Sequence, residues 1–324
     1  MTDRGLLDLM ISLLPGLKIT DKISLLQAFD SEESFFVQSR ENIEEILNHA
    51  LPAFWDVTEI HERAGRIDTT CRMRSINWVS FADTDYPPLL RESYDPPIVL
   101  FYKGKLPNPE KSLLGMVGTR HPSPQAAEQA YKIAGNICKA GISVISGLAL
   151  GIDAMSHRGS LIGNVPGYAV LGSGIDEVYP SVNRPLAKRI LDSGGALISE
   201  YPPGTHASKW TFPARNRIIA AMSRGVLIVE APEKSGALIT ADFAAEQGKD
   251  LWVASSGLIE NANFDKKGTI KLANDGAEVI NSACDILKKW NIDTGISYVK
   301  VAEGTYKSMD DYIISLAEFL KIEI

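Results

Sequence analysis

From Ser112 onward, short uncharged apolar runs alternate with amphipathic segments, and this alternation restricts the possible folds more than any other feature of the chain. The runs are 113–117, 142–145, 168–171, 196–198, 226–229 and 251–254; the segments between them are 124–139, 152–161, 184–191, 216–222 and 237–246. A strand that is apolar at every position has no face to offer water, so it must be covered on both sides. Strands of that kind separated by helices predict an α/β protein with a Rossmann-like, doubly wound, mostly parallel sheet.

The text before this region is different. Leu6, Leu7, Leu9, Met10, Leu13 and Leu14 stand at helical spacing, Pro15-Gly16 breaks the chain, and a second helical run covers 23–29. A small all-α module is predicted over 1–68. The aromatic, proline-rich stretch 76–105 predicts an ordered connector ending in a strand, so the Rossmann-like domain is drawn from 69 to 288. Residues 289–324 form a short, acidic tail with one predicted helix near 309–320.

Charge narrows the partners. The net charge is −7, which argues against a general duplex binder. Between Lys111 and Arg224, however, 12 Lys and Arg stand against 6 Asp and Glu, while the rest of the chain holds 21 basic and 34 acidic residues. A basic middle between acidic flanks would hold an anion on one face; chance clustering on a solvated surface explains the count equally well. Asp3, Arg4 and Asp8 interrupt the N-terminal leucines, unlike a secretory signal. The longest uncharged stretch, 159–175, is broken by Asn164, Pro166 and glycines, so no membrane span is expected. Cys71, Cys138 and Cys284 are scattered without metal-binding spacing and read as buried free thiols in a reducing cytoplasm.

In an open parallel sheet, ligands bind beyond the carboxyl ends of the strands. Those ends carry Gly118-Thr119-Arg120, then Ser146-Gly147, then Gly172-Ser173-Gly174, and finally Ser235-Gly236 at the opening of a helix. Small residues there let backbone N–H groups approach a phosphate, with help from helix N-termini. One such turn would be mere geometry; four along one edge favour a phosphate-binding rim. Gly104-Lys105 and Gly248-Lys249 lack the residues of a triphosphate-binding loop, and Gly172-Ser173-Gly174 meets Glu177 where a dinucleotide fingerprint needs glycine. No cofactor is expected.

Catalytic signals are weak. No nucleophile elbow is present, and His61-Glu62 lacks a following histidine. Asp153 and His157 could face each other as an acid/base pair. The reading adopted is that Asp153 caps a helix while His157 makes a supporting hydrogen bond. The most distinctive segment runs from Lys209 to Arg217, with Lys209, Arg215 and Arg217, the aromatics Trp210 and Phe212, and Asn216. Pro213 predicts that the following helix starts near Asn216. Cations beside aromatic rings suit single-stranded nucleic acid, because charge follows phosphate and a ring stacks on any base. Alternatively the rings are core anchors and the arginines pair with Glu200 or Glu230. Trp210 is read as a core anchor, and for Phe212 both readings stay open.

Taken together, Tyr86-Pro87, Pro96-Pro97-Ile98-Val99-Leu100, Gly118-Thr119-Arg120, Ser146 through Asp153, His157, Gly172-Ser173-Gly174, Tyr179-Pro180, Ser199-Glu200, Phe212 through Ile219, Ser235 through Leu238 and Gly276-Ala277 closely resemble the bacterial DNA-processing family called DprA or Smf. The resemblance implies a dimeric, non-enzymatic protein that binds single-stranded DNA and loads the recombinase RecA during natural transformation. It implies DNA contacts from Arg120, Lys209 and Phe212. The chain departs from the family at Ala254-Ser255-Ser256-Gly257 and at the helix-hairpin-helix-like turn Gly16-Leu17-Lys18. With only about 35 residues after the last recognisable unit, the winged helix of many members is not expected here. A rival class is the Rossmann-like phosphoribohydrolases that cleave nucleoside monophosphates; their P-G-G-x-G-T block is absent here. A third reading is a dimerisation scaffold for RecA.

Overall fold

Burial at every position of the central strands sets the architecture. The computed structural model describes residues 4–51, 55–259 and 262–292. Nine strands form one sheet: β1 (Asn77–Ser80), β2 (Val99–Gly104), β3 (Leu113–Val117), β4 (Ser143–Ser146), β5 (Tyr168–Val170), β6 (Ala196–Ser199), β7 (Gly225–Ile228), β8 (Asp250–Ala254) and β9 (Glu278–Ile280). Their spatial order is β1-β2-β6-β5-β4-β3-β7-β8-β9. From β6 to β9 all neighbours are parallel, while β1 and β2 add an antiparallel edge. The predicted alternation therefore holds, with strand ends displaced by a residue or so.

Side chains alternate between the two faces as the pleat requires. Leu114, Met116, Val144, Leu227, Val229, Trp252 and Ile280 pack with the helices Pro124–Lys139, Ile152–Ser160 and Ala283–Lys289. Leu113, Val117, Ile145, Val226, Ile228 and Val253 pack with the helices Thr211–Met222 and Gly236–Glu246. Helix Pro124–Lys139 begins where its sequence says it should: the Ser123 hydroxyl accepts the Ala126 N–H, and Pro124 occupies the first turn.

Helix Thr211–Met222 begins earlier than predicted. Pro213 lies within its first turn, where N–H groups have no intrahelical acceptor, so a missing donor costs nothing there. This shift moves Phe212 from a loop onto a helix.

The N-terminal helices Leu7–Leu13, Ile19–Ala28, Glu32–Phe36, Arg40–Leu47 and Val57–Met73 share an apolar cluster with Phe101 of β2, Ala169 of β5 and Leu197 of β6. Asp8, buried here, accepts a hydrogen bond from Arg4 Nε at 2.8 Å and another from the Ser80 hydroxyl. Cys71 and Cys138 are buried, and desolvation pushes both thiols up to about 12. Cys284 is only half-buried, contrary to expectation. No helix among the described residues is long and apolar enough to cross a membrane. The predicted helix near 309–320 falls outside the described residues.

Candidate functional site

Strand order reverses at β3: β4 lies on one side of it and β7 on the other. A crevice is expected beyond the carboxyl ends at such a switch point. A cleft of about 650 Å³ opens there, with Gly118, Thr119 and Arg120 on one wall and Ser235 and Gly236 on the opposite one.

The turn after β3 is clamped from two sides. The Thr119 N–H donates to the Glu230 carbonyl at 2.7 Å, and the Thr119 carbonyl accepts the Ile152 N–H at 3.1 Å. Gly151 takes φ +72°, and a Cβ there would stand 2.3 Å from the Thr119 carbonyl, so only glycine allows the two turns to close on each other. Arg120 is left exposed above the cleft, its guanidinium 5.3 Å from the centre of the Phe212 ring.

Beneath this turn lies a buried ionic cluster that the sequence reading missed. Glu230 is 1% exposed and Lys266 4%, and they pair at 3.0 Å. The Glu230 carboxylate also accepts the Ser123 N–H at 2.8 Å and the Ser123 hydroxyl at 2.5 Å, while Lys266 donates to the Ser256 carbonyl at 2.7 Å. One residue thus holds the turn after β3 through its backbone and the next helix start through its side chain.

The floor is polar and only partly paired: both ring nitrogens of His157 are buried without a hydrogen-bond partner, so the supporting hydrogen bond expected of it is not made. Arg215, 4% exposed, donates to the carbonyls of Gly147 at 2.5 Å and of Val170. Burial pushes its guanidinium down to about 10, partly offset by Asp153, so it stays cationic at neutral pH. Asp153 is not the helix cap; Gly151 occupies that position. Its carboxylate instead accepts the N–H groups of Gly147 at 3.1 Å and Ala149 at 3.4 Å. His157 is fully buried, and desolvation followed by Arg215 pushes it down to about 3. A histidine so far from its usual range is neutral near pH 7 and holds no proton for acid catalysis there.

Phe212 forms the aromatic wall. Its ring lies over Gly172, where a Cβ would stand 2.8 Å from Cδ1, and 5.6 Å from the ring of Tyr179. Phe212 is half-buried, as is Asn216 one turn on, whose Nδ2 donates to the Gly236 carbonyl at 2.9 Å. Lys209 is exposed at the rim. Trp210 overturns the core-anchor reading: it is 73% exposed, with the Lys209 ammonium 4.8 Å from its ring.

The structure thus gathers Gly118, Thr119, Arg120, Lys209, Phe212, Arg215, Asn216, Ser235 and Gly236 around one cleft. It does not bring the other candidates to the lining. Ser146 is buried and donates to the Met116 carbonyl at 2.6 Å. Gly147 makes room for the Arg215 guanidinium. Gly172 seats the Phe212 ring, Ser173 donates to the Glu177 carbonyl at 2.6 Å, and the Gly174 N–H donates to the Thr205 carbonyl at 2.7 Å. Arg217 is buried against Glu200 at 2.6 Å and Asp95 at 2.8 Å, the pairing that the structural alternative foresaw for Glu200. These residues shape the cleft from behind.

Tyr179 and Lys234 also line it and were not weighed as contacts. Both carried a signal: an aromatic just past a glycine-rich strand end, and a cation just before a helix-opening Ser-Gly. Among the described residues no group of His, Cys, Asp or Glu could hold a metal ion.

Residues 77–291 match the family described as DNA recombination-mediator protein A. The chain belongs to this family. The Smf protein of Synechocystis is 44% identical over 210 residues, covering 63% of this chain and 52% of that protein, so the alignment spans about half of the relative. Among solved structures, DNA processing protein A of Streptococcus pneumoniae superposes with a TM-score of 0.69 at 31% identity, over 87% of this chain and 95% of that one. The Helicobacter pylori family member, solved for its single-stranded DNA binding mode, gives a TM-score of 0.57 at 25% identity, over 67% and 95% of the two chains. Family membership accounts for the motif order, with the glycine-rich turns and the Arg-Asn-Arg helix on one sheet.

Proposed function

We propose that the chain is a single-stranded DNA-binding recombination mediator that protects incoming strands and passes them to RecA during natural transformation. It acts as a cytoplasmic homodimer, without a cofactor and without turnover. The observation that carries this reading is the cleft at the switch point. Arg120 stands over the Phe212 ring there, Lys209, Lys234 and Tyr179 line the same cleft, and the carboxylate of Asp153 is buried among backbone N–H groups. Cations can follow a phosphate backbone while the rings take unstacked bases. The DNA-binding mode described for the Helicobacter pylori relative supports it.

Bases must unstack to reach such rings, so duplex of the same sequence is expected to bind more weakly than single strand at one salt concentration. Equal affinity for the two forms, or release of free base from nucleoside monophosphates, would overturn the proposal. The cations give a second test. Each phosphate contact on single-stranded DNA contributes roughly 0.7 to the slope of log affinity against log salt. Arg120→Ala and Lys209→Ala should each weaken binding to all sequences alike and flatten the slope by about that amount. An unchanged slope with intact binding would place the strand elsewhere.

A further inference from the structure

Trp210 is the observation that the cleft does not explain. An indole that is 73% exposed leaves a large apolar surface in water, yet its backbone is not loose. The Ser208 hydroxyl accepts the N–H groups of Trp210 and Thr211, both at 3.3 Å, and the Thr211 hydroxyl accepts the Ser208 N–H at 3.0 Å. This reciprocal pair fixes the segment that leads into helix Thr211–Met222. The ring is thus presented from a rigid support, with the Lys209 ammonium 4.8 Å from its centre. Lys209 also lines the cleft, so the exposed indole continues that surface rather than forming a separate patch.

We infer that Trp210 is a second base-stacking station, placed outside the cleft, which takes a nucleotide adjacent to the one on Phe212. Phe212 and Trp210 stand two positions apart at the start of one helix, a spacing that sends their side chains to different sides. One strand passing Lys209 would meet one ring inside the cleft and the other outside it, with the ammonium between them as the phosphate contact. Single-stranded DNA is the occupant that fits, because a cation and an open aromatic face recur here in the same pairing as Arg120 over Phe212. The inference rests on the proposed function and adds to it a longer binding track and an outer contact.

The test uses the full chain as wild type, Trp210→Ala, Trp210→Phe and Phe212→Ala. Each is titrated with oligo-dT and with the same oligonucleotide carrying one abasic position, moved stepwise along the strand. Trp210→Ala should weaken binding to intact oligo-dT by about 5- to 150-fold, and Trp210→Phe by clearly less. An abasic position that weakens wild type should be silent in Trp210→Ala, and a different position should be silent in Phe212→Ala. If Trp210→Ala binds like wild type while Phe212→Ala is weak, the outer station is overturned and the cleft reading stands. If Trp210→Ala loses the same affinity on every abasic strand, the indole does not stack and the inference likewise falls. If wild type binds none of the oligonucleotides, the proposed function itself fails.

Discussion

Replacing Glu230 by alanine is expected to remove about 3–5 kcal/mol of folding stability, because it leaves a buried lysine without its counter-charge. Lys266 cannot reach water from its position at 4% exposure, and Ser123 loses the acceptor for both its N–H and its hydroxyl. A melting curve should show a fall of roughly 4–7 °C. Glu230→Gln keeps an acceptor for Ser123 and should lie between wild type and alanine. Changing both partners, Glu230→Gln with Lys266→Met, should recover part of the loss by removing the unpaired charge. A Glu230→Ala midpoint equal to wild type would show that the pair contributes nothing. The same cluster underlies the turn that carries Arg120, so the folded fraction of Glu230→Ala should also bind oligo-dT more weakly.

Phe212→Ala is expected to show the opposite pattern. If the ring stacks on a base, truncation should cost roughly 1–3 kcal/mol of binding, with the salt slope hardly moved because no phosphate contact is removed. Stability should fall little, since the ring is half-buried and borders the open cleft. A core anchor would behave in reverse, losing about 3–5 kcal/mol of stability through the cavity left behind. A melting curve and a binding titration on the same variant therefore separate the two roles. A large drop in melting temperature, with near-normal affinity in the folded fraction, would remove Phe212 from the binding site.

What could be read before the structure and what could not follows the range of the forces involved. The parallel sheet was legible because strands buried on both faces must be apolar throughout, and each such strand records that demand in its own few residues. Helix Pro124–Lys139 was legible to the residue because its cap, its proline and its apolar stripe are all local. Gly118, Thr119 and Arg120 stood out for the same reason, as did the cations and rings of 209–217.

Only the tertiary structure decided which of these residues meet. The reversal at β3 places β7 beside it although more than a hundred residues separate them in the chain, so Ser235 and Gly236 join Arg120 across one cleft. The ends of β4 and β5 read alike as sequence, yet Ser146 and Ser173 are buried and donate to backbone carbonyls instead of lining the cleft. Arg217 belongs to the same short segment as Phe212, but a carboxylate 122 positions away claims it. Trp210 gave no local sign of being exposed, since an indole's composition favours burial and only packing shows whether a neighbour covers it. Glu230 stood in the sequence as an alternative partner for the arginines of 209–217, and nothing local pointed to Lys266; their pairing exists because the fold brings the segment after β7 against Lys266. Periodicity and capping act over a few residues and are written in the chain locally, whereas strand order, ion pairing and exposure depend on contacts between distant segments and appear only once the chain has folded.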